Sequence, residues 1–252
     1  MKKTETNVIN VMEGIKLPTK KGRSHKVIIK TENLWKSFLL GTHRHMVLRG
    51  VDLCFYTGEF VIIFGPSGCG KSTLLHTILG LEKPDKGRVF LRERSLYRLG
   101  EDEKLDWRRE KIGIVFQQSN WIKSLNVIEN VCYPLYLSFM EEKEIEDKGK
   151  QMLELVGMAK AYKQNPSELS GGEQQKIALA RALITDPGII VADEPTGNLD
   201  SKSSGELIKL LARLNREERK AVLMVTHDAS FLPIANRRVF MKDGKVVNDE
   251  HD

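Results

Sequence analysis

The sequence predicts one α/β domain in which helices cover a mostly parallel sheet. Short apolar, β-branched runs alternate with longer helical patterns along the chain, which is typical of parallel βαβ architecture. A glycine-rich turn joins one of these runs to a helix, and another run ends in two adjacent acids. With 252 residues, 40% of them hydrophobic, the chain can bury a sizeable core.

The predicted elements alternate in order along the chain. Strands are predicted from Val27 and over residues 48–55, 59–64, 88–91, 112–116, 189–192 and 221–226, with two short strands ending near Val247. Helices are predicted from Lys71 to about Leu81 and over 127–157, 170–184 and 201–217. The helical middle, about 119–175, is predicted to be a subdomain inserted into the core. The whole domain is predicted to span 27–248, followed by a short tail, 249–252.

The net charge of +6 is concentrated at the start of the chain. Seven basic and two acidic residues lie within 1–27, so five of the six net positive charges are there. The remainder is nearly neutral, which argues against a broad nucleic-acid-binding surface. The basic tail, 1–26, is predicted to be flexible, and contact with anionic lipid and simple solvation both remain open for it.

The sequence contains no run that predicts membrane insertion or secretion. No stretch approaches the roughly 20 apolar residues of a membrane-spanning helix, and the first residues lead into no apolar run. Cys54, Cys69 and Cys132 lie far apart, without the paired spacing of a zinc site or a disulfide framework. We therefore expect a cytosolic protein.

A glycine-rich turn follows the predicted strand 59–64 and opens the next helix. Its residues match the phosphate-loop pattern G-x-x-x-x-G-K-[ST] in the strand-to-helix context that the pattern requires: Gly65, Pro66, Ser67, Gly68, Cys69, Gly70, Lys71 and Ser72, with Thr73 next in the helix. Glycines let backbone N–H groups approach phosphate oxygens, and the helix N-terminus adds partial positive charge. Lys71 is predicted to reach the β- and γ-phosphates, and the Ser72 hydroxyl to ligate Mg²⁺. The turn therefore predicts a nucleoside triphosphate site.

Two acids, Asp193 and Glu194, end the apolar run 189–192. In open α/β sheets, ligands bind at the edge where the parallel strands end. Asp193 suits the Mg²⁺-associated acid of P-loop enzymes, and Glu194 suits a general base or a water-orienting group. Taken alone, the pair is equally compatible with two solvated acids at the end of a strand.

Four further segments complete a recognisable order. Residues 169–175 read Leu-Ser-Gly-Gly-Glu-Gln-Gln and open a predicted helix between the phosphate loop and the two acids. Gln117 follows the strand 112–116, the triplet 198–200 (Asn-Leu-Asp) follows Glu194, and His227 follows the strand 221–226. In this order and spacing, the segments resemble those of ABC ATPases, the nucleotide-binding subunits of ABC transporters. The resemblance covers about 27–248.

The resemblance implies a fold and a dimer. The fold would be a P-loop core with a mostly parallel sheet, an antiparallel β edge subdomain and an inserted helical subdomain. Ser170, Gly171 and Gly172 would present a hydroxyl and N–H groups to the γ-phosphate of ATP bound to a second subunit, so hydrolysis would require pairing, most simply of two identical copies. Asp200 would help to join the two sites across that dimer.

The resemblance also implies roles for the remaining site residues. Glu194 would polarise the attacking water, and His227 would hold the γ-phosphate and the catalytic geometry. Gln117 would contact Mg²⁺ and the water, and would connect the site to a membrane partner. Phe38, where the family more often has tyrosine, would stack on the adenine. Trp35 is the alternative stacking residue, although strand alternation places it off the Phe38 face.

Sequence details resemble one branch of the family: the lipoprotein-releasing, macrolide-exporting and cell-division-associated ATPases. They are residues 194–200 (Glu-Pro-Thr-Gly-Asn-Leu-Asp), 169–175, and 128–131 (Ile-Glu-Asn-Val) with the following Pro134 and Leu135. Lys176 stands where that branch usually has arginine, which keeps the charge but loses the planar fork. The branch implies a permease-like membrane subunit, contacted near residues 117–139, and a location on the inner face of the cell membrane.

Two other readings remain beside the transporter subunit. One is a regulatory ATPase of an envelope or cell-division complex. The other is a soluble ABC ATPase that acts on nucleic acid or ribosomes, which the nearly neutral body and the single cassette disfavour.

Overall fold

The protein is described by a computed structural model over residues 26–136 and 138–251. Residues 1–25 lie outside the described part, so the predictions about the basic tail and its contact with lipid stay predictions. The described residues form two sheets packed against helices.

The central sheet, within the described residues, has six strands in the order β10, β9, β3, β8, β7, β6. The strands are β3 (Phe60–Phe64), β6 (Ile112–Phe116), β7 (Ile189–Asp193), β8 (Ala221–Thr226), β9 (Arg237–Lys242) and β10 (Lys245–His251). All neighbouring pairs are parallel except β9 and β10, which pair antiparallel. The predicted mostly parallel sheet is confirmed.

A second sheet of the described residues is antiparallel, with the strand order β2, β1, β4, β5. Its strands are β1 (Val27–Leu40), β2 (His43–Tyr56), β4 (Lys86–Leu91) and β5 (Arg94–Ser95). This sheet is the antiparallel edge subdomain that the resemblance implied.

Six α-helices lie within the described residues. They are α1 (Lys71–Ile78), α2 (Glu101–Lys111), α3 (Val127–Cys132), α4 (Glu142–Leu155), α5 (Gly171–Leu183) and α6 (Ser201–Glu218). Helices α3, α4 and α5 follow one another between β6 and β7, the segment that contains the predicted helical insertion.

The central sheet is buried on both faces because its strands separate two hydrophobic clusters. Ile62, Ile190 and Met224 belong to the cluster that includes residues of α3 to α6. Ile63 and Val191, one residue further along their strands, belong to the cluster on α1 and the antiparallel sheet. Successive residues of a strand face opposite sides, so a strand covered on both sides consists of apolar residues throughout.

Several predicted boundaries were wrong. Helix α1 ends at Ile78 rather than Leu81 because the chain turns at Gly80, whose φ is +73°. The predicted helix 127–157 is two helices, separated by a 3-10 turn that contains Pro134. Helix α2 was not predicted, because nine of its eleven residues are charged and only Lys104 is fully buried.

The expected short tail, 249–252, is also wrong, since β10 continues to His251. The buried Arg237 of β9 donates two hydrogen bonds to Asp249, 2.8 and 2.7 Å long, which hold this end of the chain against the sheet. None of the helices in the described ranges has the length and apolarity that crossing a membrane would require.

Candidate active site

The candidate site lies where the parallel strands end. Phe64 pairs with Thr226, and Asp193 pairs with both Phe116 and Val225, so these strands finish at nearly the same level of the sheet. The residues that follow are the phosphate loop after β3, Gln117 after β6, Glu194 after β7 and His227 after β8. The parallel topology therefore brings together segments that lie as far apart in the chain as Gly65 and His227.

The phosphate loop has a backbone shape that requires glycine. At Gly70, φ is +104°, and a Cβ would lie 2.7 Å from the Val47 carbonyl oxygen. At Gly65, a Cβ would lie 2.3 Å from the carbonyl oxygen of Met241. Gly244 donates a 3.0 Å hydrogen bond to the Cys69 carbonyl oxygen, which ties the loop to the turn between β9 and β10.

The N-terminus of α1 is prepared for an anion. Gly70 is its N-cap, and no side chain of the described residues caps the helix by a hydrogen bond. The first turn also contains no acid. Its first N–H groups and the helix dipole therefore point at the space inside the loop, where phosphate oxygens would accept their hydrogen bonds.

Lys71 lies folded into the loop, with 4% of its side chain exposed. Its Nζ donates hydrogen bonds of 2.9 and 3.0 Å to the carbonyl oxygens of Gly65 and Pro66. The same atom lies 3.7 Å from Glu194 Oε1. The ammonium group is thus held at the loop by neutral acceptors and by one carboxylate.

Ser72 and Asp193 meet directly, although 121 residues separate them. The Ser72 hydroxyl donates a 2.9 Å hydrogen bond to Asp193 Oδ1. His76 Nε2 lies 3.9 Å from Asp193 Oδ2. Burial raises the pKa of Asp193, and the hydrogen bond from Ser72 opposes this shift. Sequence reasoning missed His76, which follows Ser72 by four residues on one face of α1, a spacing that could have revealed it.

Glu194 and His227 form the second polar pair of the site. His227 Nδ1 lies 3.1 Å from Glu194 Oε2. Glu194 has φ +46°, a left-handed conformation that is strained for a residue with a side chain. Its amide donates a 3.0 Å hydrogen bond to the Val225 carbonyl oxygen, which holds the Glu194 backbone beside the end of β8.

Gln117 lies against the loop that follows Glu194, because a Cβ on Gly197 would be 2.8 Å from Gln117 Nε2. The backbone at Gln117 is held by Gln175 of α5. The Gln175 amide donates hydrogen bonds of 3.1 and 2.8 Å to the carbonyl oxygens of Phe116 and Gln117. Sequence reasoning placed Gln175 in a motif but missed this contact.

A second set of side chains fastens the segment after Gln117 to α5. Trp121 donates a 2.9 Å hydrogen bond to the side-chain oxygen of Gln174, which in turn donates one of 3.0 Å to the Leu169 carbonyl oxygen. The Arg181 guanidinium lies 4.7 Å from the Trp121 ring centroid and donates hydrogen bonds to the carbonyl oxygens of Ser119 and Asn120. The segment at Gln117 and the start of α5 are therefore linked by side chains.

The segment 170–172 is not brought to the phosphate loop of its own chain. Ser170 caps α5, and its N–H and hydroxyl donate hydrogen bonds of 2.9 and 2.6 Å to Glu173 Oε2. These bonds lower the pKa of Glu173. A Cβ on Gly172 would lie 2.6 Å from the Ser203 hydroxyl, so the segment packs on the start of α6.

Asp200 is the N-cap of α6. Its carboxylate accepts 2.9 Å hydrogen bonds from the N–H groups of Lys202 and Ser203, and a 2.8 Å bond from the Ser203 hydroxyl. Lys176 on α5 forms a 2.5 Å ion pair with Glu206 on α6 through its one amine.

The two aromatic candidates for adenine stacking differ in their surroundings. The Phe38 ring is partly exposed on β1 near the turn to β2, with Lys36 Nζ 4.9 Å from its centroid. The Trp35 indole donates a 2.8 Å hydrogen bond to Asn33 and faces Gly50, where a Cβ would lie 3.5 Å from the ring. Both side chains are partly exposed, so the assignment of adenine stacking to Phe38 stays a prediction.

The fold and the site together define a P-loop nucleotide-binding domain. Residues 48–197 match the model of the family described as "ABC transporter". The chain belongs to the ABC transporter family as an ATP-binding cassette ATPase.

The chain is also similar to individual relatives and to solved structures. The chain is 42% identical over 227 residues to an uncharacterized ABC transporter ATP-binding protein of Methanocaldococcus jannaschii, covering 88% of this chain and 97% of that protein. It is 40% identical to the lipoprotein-releasing system ATP-binding protein LolD of Acinetobacter baylyi, covering 88% and 98%. A dimeric, post-hydrolysis structure of the same archaeal cassette with ADP and Pi matches with a TM-score of 0.83 at 40% identity, covering 88% of this chain and 98% of that chain.

Proposed function

We propose that this chain hydrolyses ATP as one half of a homodimer, and that the dimer drives a separate membrane subunit of the lipoprotein-releasing type. One observation carries the proposal: the phosphate loop, Asp193, Glu194 and His227 meet at one edge of the sheet, whereas Ser170 and its neighbours contact α6 instead. A hydroxyl beside two glycines is suited to a phosphate, yet its own phosphate loop lies elsewhere. The ligand for this segment is therefore ATP on a second copy.

ATP would be held mainly by backbone and by Lys71. The uncapped N–H groups of α1 supply donors for the phosphates. Lys71 Nζ, now on the carbonyl oxygens of Gly65 and Pro66, would move to the β- and γ-phosphates, a stronger charge-assisted contact. The adenine would lie on the partly exposed ring of Phe38.

The oxygen donors at the site fit Mg²⁺. Ser72 Oγ and Asp193 Oδ1 are 2.9 Å apart, and the Gln117 amide lies nearby against Gly197. Mg²⁺ uses one or two protein oxygens and takes its other ligands from water and substrate phosphates. In keeping with this, no group of three or more His, Cys, Asp or Glu side chains in the described residues could hold a metal by itself. Bound there, Mg²⁺ would neutralise charge on the β- and γ-phosphates.

Glu194 and His227 would act on the attacking water. The Glu194 carboxylate would accept a hydrogen bond from the water and orient it toward the γ-phosphate. His227, 3.1 Å from that carboxylate, would hold its orientation, and its other ring nitrogen would face the γ-phosphate. The strained φ of Glu194 supports this role, because such strain concentrates at functional sites.

The surface for the membrane subunit would lie after Gln117, within 117–139. Tyr133, Tyr136 and Phe139 are large aromatic residues, and all three are exposed. Exposed aromatic groups of this kind mark binding surfaces for partner proteins. The side-chain links from Trp121 to α5 would connect that surface to the Ser170 segment. The protein would then be peripheral on the inner face of the cell membrane.

Substituting Glu194 tests the catalytic assignment. Glu194→Gln should still bind ATP and accumulate as a dimer with Mg²⁺ and ATP, while steady-state turnover falls by about 10²–10⁴-fold. Gel filtration and phosphate release measure the two effects. The matched control is Glu110→Gln, an exposed acid that pairs with its neighbour Lys111, which should hydrolyse ATP normally. Unchanged turnover in Glu194→Gln would remove Glu194 from the mechanism.

Mixing two inactive variants tests whether the site is shared between copies. Lys71→Ala disables the phosphate loop, and Ser170→Arg disables the segment offered to the partner. Each variant alone should be inactive. Their mixture should recover activity, because one site of the mixed dimer then has an intact Lys71 from one chain and an intact Ser170 from the other. If the mixture stays inactive although the two chains associate, each chain would have to complete its own site.

The membrane partner is tested by recovering tagged Glu194→Gln from solubilised membranes with ATP and Mg²⁺. A stoichiometric membrane protein, lost when Tyr136 and Phe139 are both replaced by serine, is the expected result. Its domains outside the membrane would distinguish a transporter from a regulatory complex. Recovery of ribosomes or nucleic acid without a membrane protein would favour the soluble ABC ATPase instead.

A further inference from the structure

A cavity of about 530 Å³ lies at the opposite end of the sheet from the phosphate loop. It is bounded by Gly58 just before β3, Lys111 just before β6 and Ile189 at the start of β7, whereas the nucleotide site lies where these strands end. Its volume falls within the range of about 300–1,000 Å³ that is typical of small-molecule sites. Nothing in the proposed hydrolysis uses this cavity.

The charged side chains that line the cavity are mostly basic. Four basic side chains and one acid line it, namely Arg92, Arg94, Lys111, Arg219 and Glu103. Glu103 is already paired with Arg94 at 2.6 Å, and Lys111 with Glu110 at 3.2 Å. In the part of the chain that the structure describes, Arg92 and Arg219 have no carboxylate within ion-pair distance. Among the described residues, these two guanidinium groups therefore have no carboxylate partner.

The two arginines also occupy unfavourable backbone positions. Arg92 has φ +54° in the turn between β4 and β5, and Arg219 has φ +58° at the end of α6. Glycine or asparagine adopts this left-handed conformation with less strain. Arginine at these two positions therefore carries a backbone strain that glycine would avoid.

The rest of the wall is apolar and aromatic. Leu99, Trp107 and Ile189 line it, and Trp107 is half-buried against the core. An indole and guanidinium planes both stack on flat rings. We propose that this cavity is a binding site for a small aromatic anion, whose ring lies on Trp107 and whose negative group pairs with Arg92 and Arg219. The ligand would be an effector, since the phosphate loop is at the other end of the strands.

Fluorescence binding to the full chain, with saturating ADP to block the nucleotide site, tests this proposal. The probe is anilinonaphthalene sulfonate, and the matched neutral probe is phenylnaphthylamine, which has the same rings without the sulfonate. We expect one bound sulfonate probe per chain, at least roughly tenfold tighter than the neutral probe, because a charge-assisted hydrogen bond contributes about that factor. Equal affinities for the two probes would overturn the proposal.

Variants locate the bound probe. The double variant Arg92→Gln, Arg219→Gln should weaken binding of the sulfonate probe by roughly tenfold or more. The variant Trp107→Leu should abolish the energy transfer from Trp107 to the bound probe. The control pair, Arg98→Gln with Arg216→Gln, removes two charges outside the cavity and should bind as the parent does. Retained ADP binding shows that each variant is folded. Where a double variant does not fold, its two single substitutions are tested instead. If the control pair loses as much affinity as the cavity pair, the charge of the surface and not this cavity holds the probe.

Discussion

The phosphate loop and the segment 169–172 both begin a helix, but their N-termini are satisfied in opposite ways. Helix α1 starts from a left-handed glycine, without a side-chain cap. Helix α5 starts with Ser170 and Glu173 bonded to each other in a reciprocal capping box. The first terminus is open to an anion from the outset. At the second, the Ser170 hydroxyl must exchange its bond to Glu173 before it can reach a phosphate on another chain.

The phosphate loop also differs from the segment after Gln117 in what holds it. The phosphate loop is held by backbone, through the close approach of Val47 and Met241 to its glycines. The Gln117 segment is held by side chains of α5, through Gln174, Gln175 and Arg181. A loop whose shape is held by backbone contacts suits a ligand group that is always a phosphate. Side-chain links suit a segment whose position changes, because such bonds can re-form with small rotations.

Glycine substitutions provide the largest expected contrast between these segments. Gly70→Ala forces a Cβ to within 2.7 Å of the Val47 carbonyl oxygen at φ +104°. Strain of about 1–3 kcal/mol would weaken ATP binding by roughly fivefold to 150-fold. Gly171→Ala meets its nearest atoms at 3.5 and 3.7 Å, ordinary contact distances, and should leave ATP binding by the single chain unchanged. Titration with a fluorescent ATP analogue measures both, and equal losses would contradict the comparison.

A substitution at Trp121, whose hydrogen bond joins the segment after Gln117 to α5, has the second largest expected effect. Trp121→Phe keeps a ring beside Arg181 but loses the hydrogen bond to Gln174, at a cost of about 1 kcal/mol in the free energy of unfolding. Hydrolysis should fall while ATP affinity stays within about twofold, because the phosphate loop is untouched. Urea unfolding and phosphate release measure this. The control is Trp35→Phe, which loses a similar bond to Asn33 at an exposed position; if it slows hydrolysis equally, the link to α5 is not the cause.

Cysteine labelling gives the smallest effect and tests how closed the phosphate loop is. Cys69 is 6% exposed, and burial raises its pKa, so at pH 7 less of it is the reactive thiolate. Maleimide should therefore modify the partly exposed Cys54 first. Labelling of Cys69 should speed up as the pH rises toward its raised pKa, should be prevented by ATP and should inhibit hydrolysis. Peptide mass spectrometry follows each site; rapid labelling of Cys69 at pH 7 would mean that the loop is open.

Much of the fold could be predicted from the sequence because its signals are local. The strand Phe60–Phe64 consists of five consecutive aromatic or β-branched residues, and the strand Ala221–Thr226 is a continuous apolar run up to its final threonine. The phosphate loop could be predicted for the same reason, since its glycine spacing directly encodes a backbone shape. Helix α2 could not, because eleven mostly exposed residues carry no apolar periodicity. The end of β10 could not be predicted either, since it depends on Arg237, twelve residues away from Asp249 in the chain.

The sequence by itself determined the class of the protein and most of the order of its strands and helices, and it predicted a set of site residues. Only the tertiary structure decided which of these residues touch. The bond from Ser72 to Asp193 spans 121 residues, and the bond from Gln175 to the Gln117 carbonyl spans 58. Such contacts depend on strand order and helix packing, which no local pattern encodes. The same holds for the cavity at Trp107, whose walls come from separate segments that meet only when the two sheets pack.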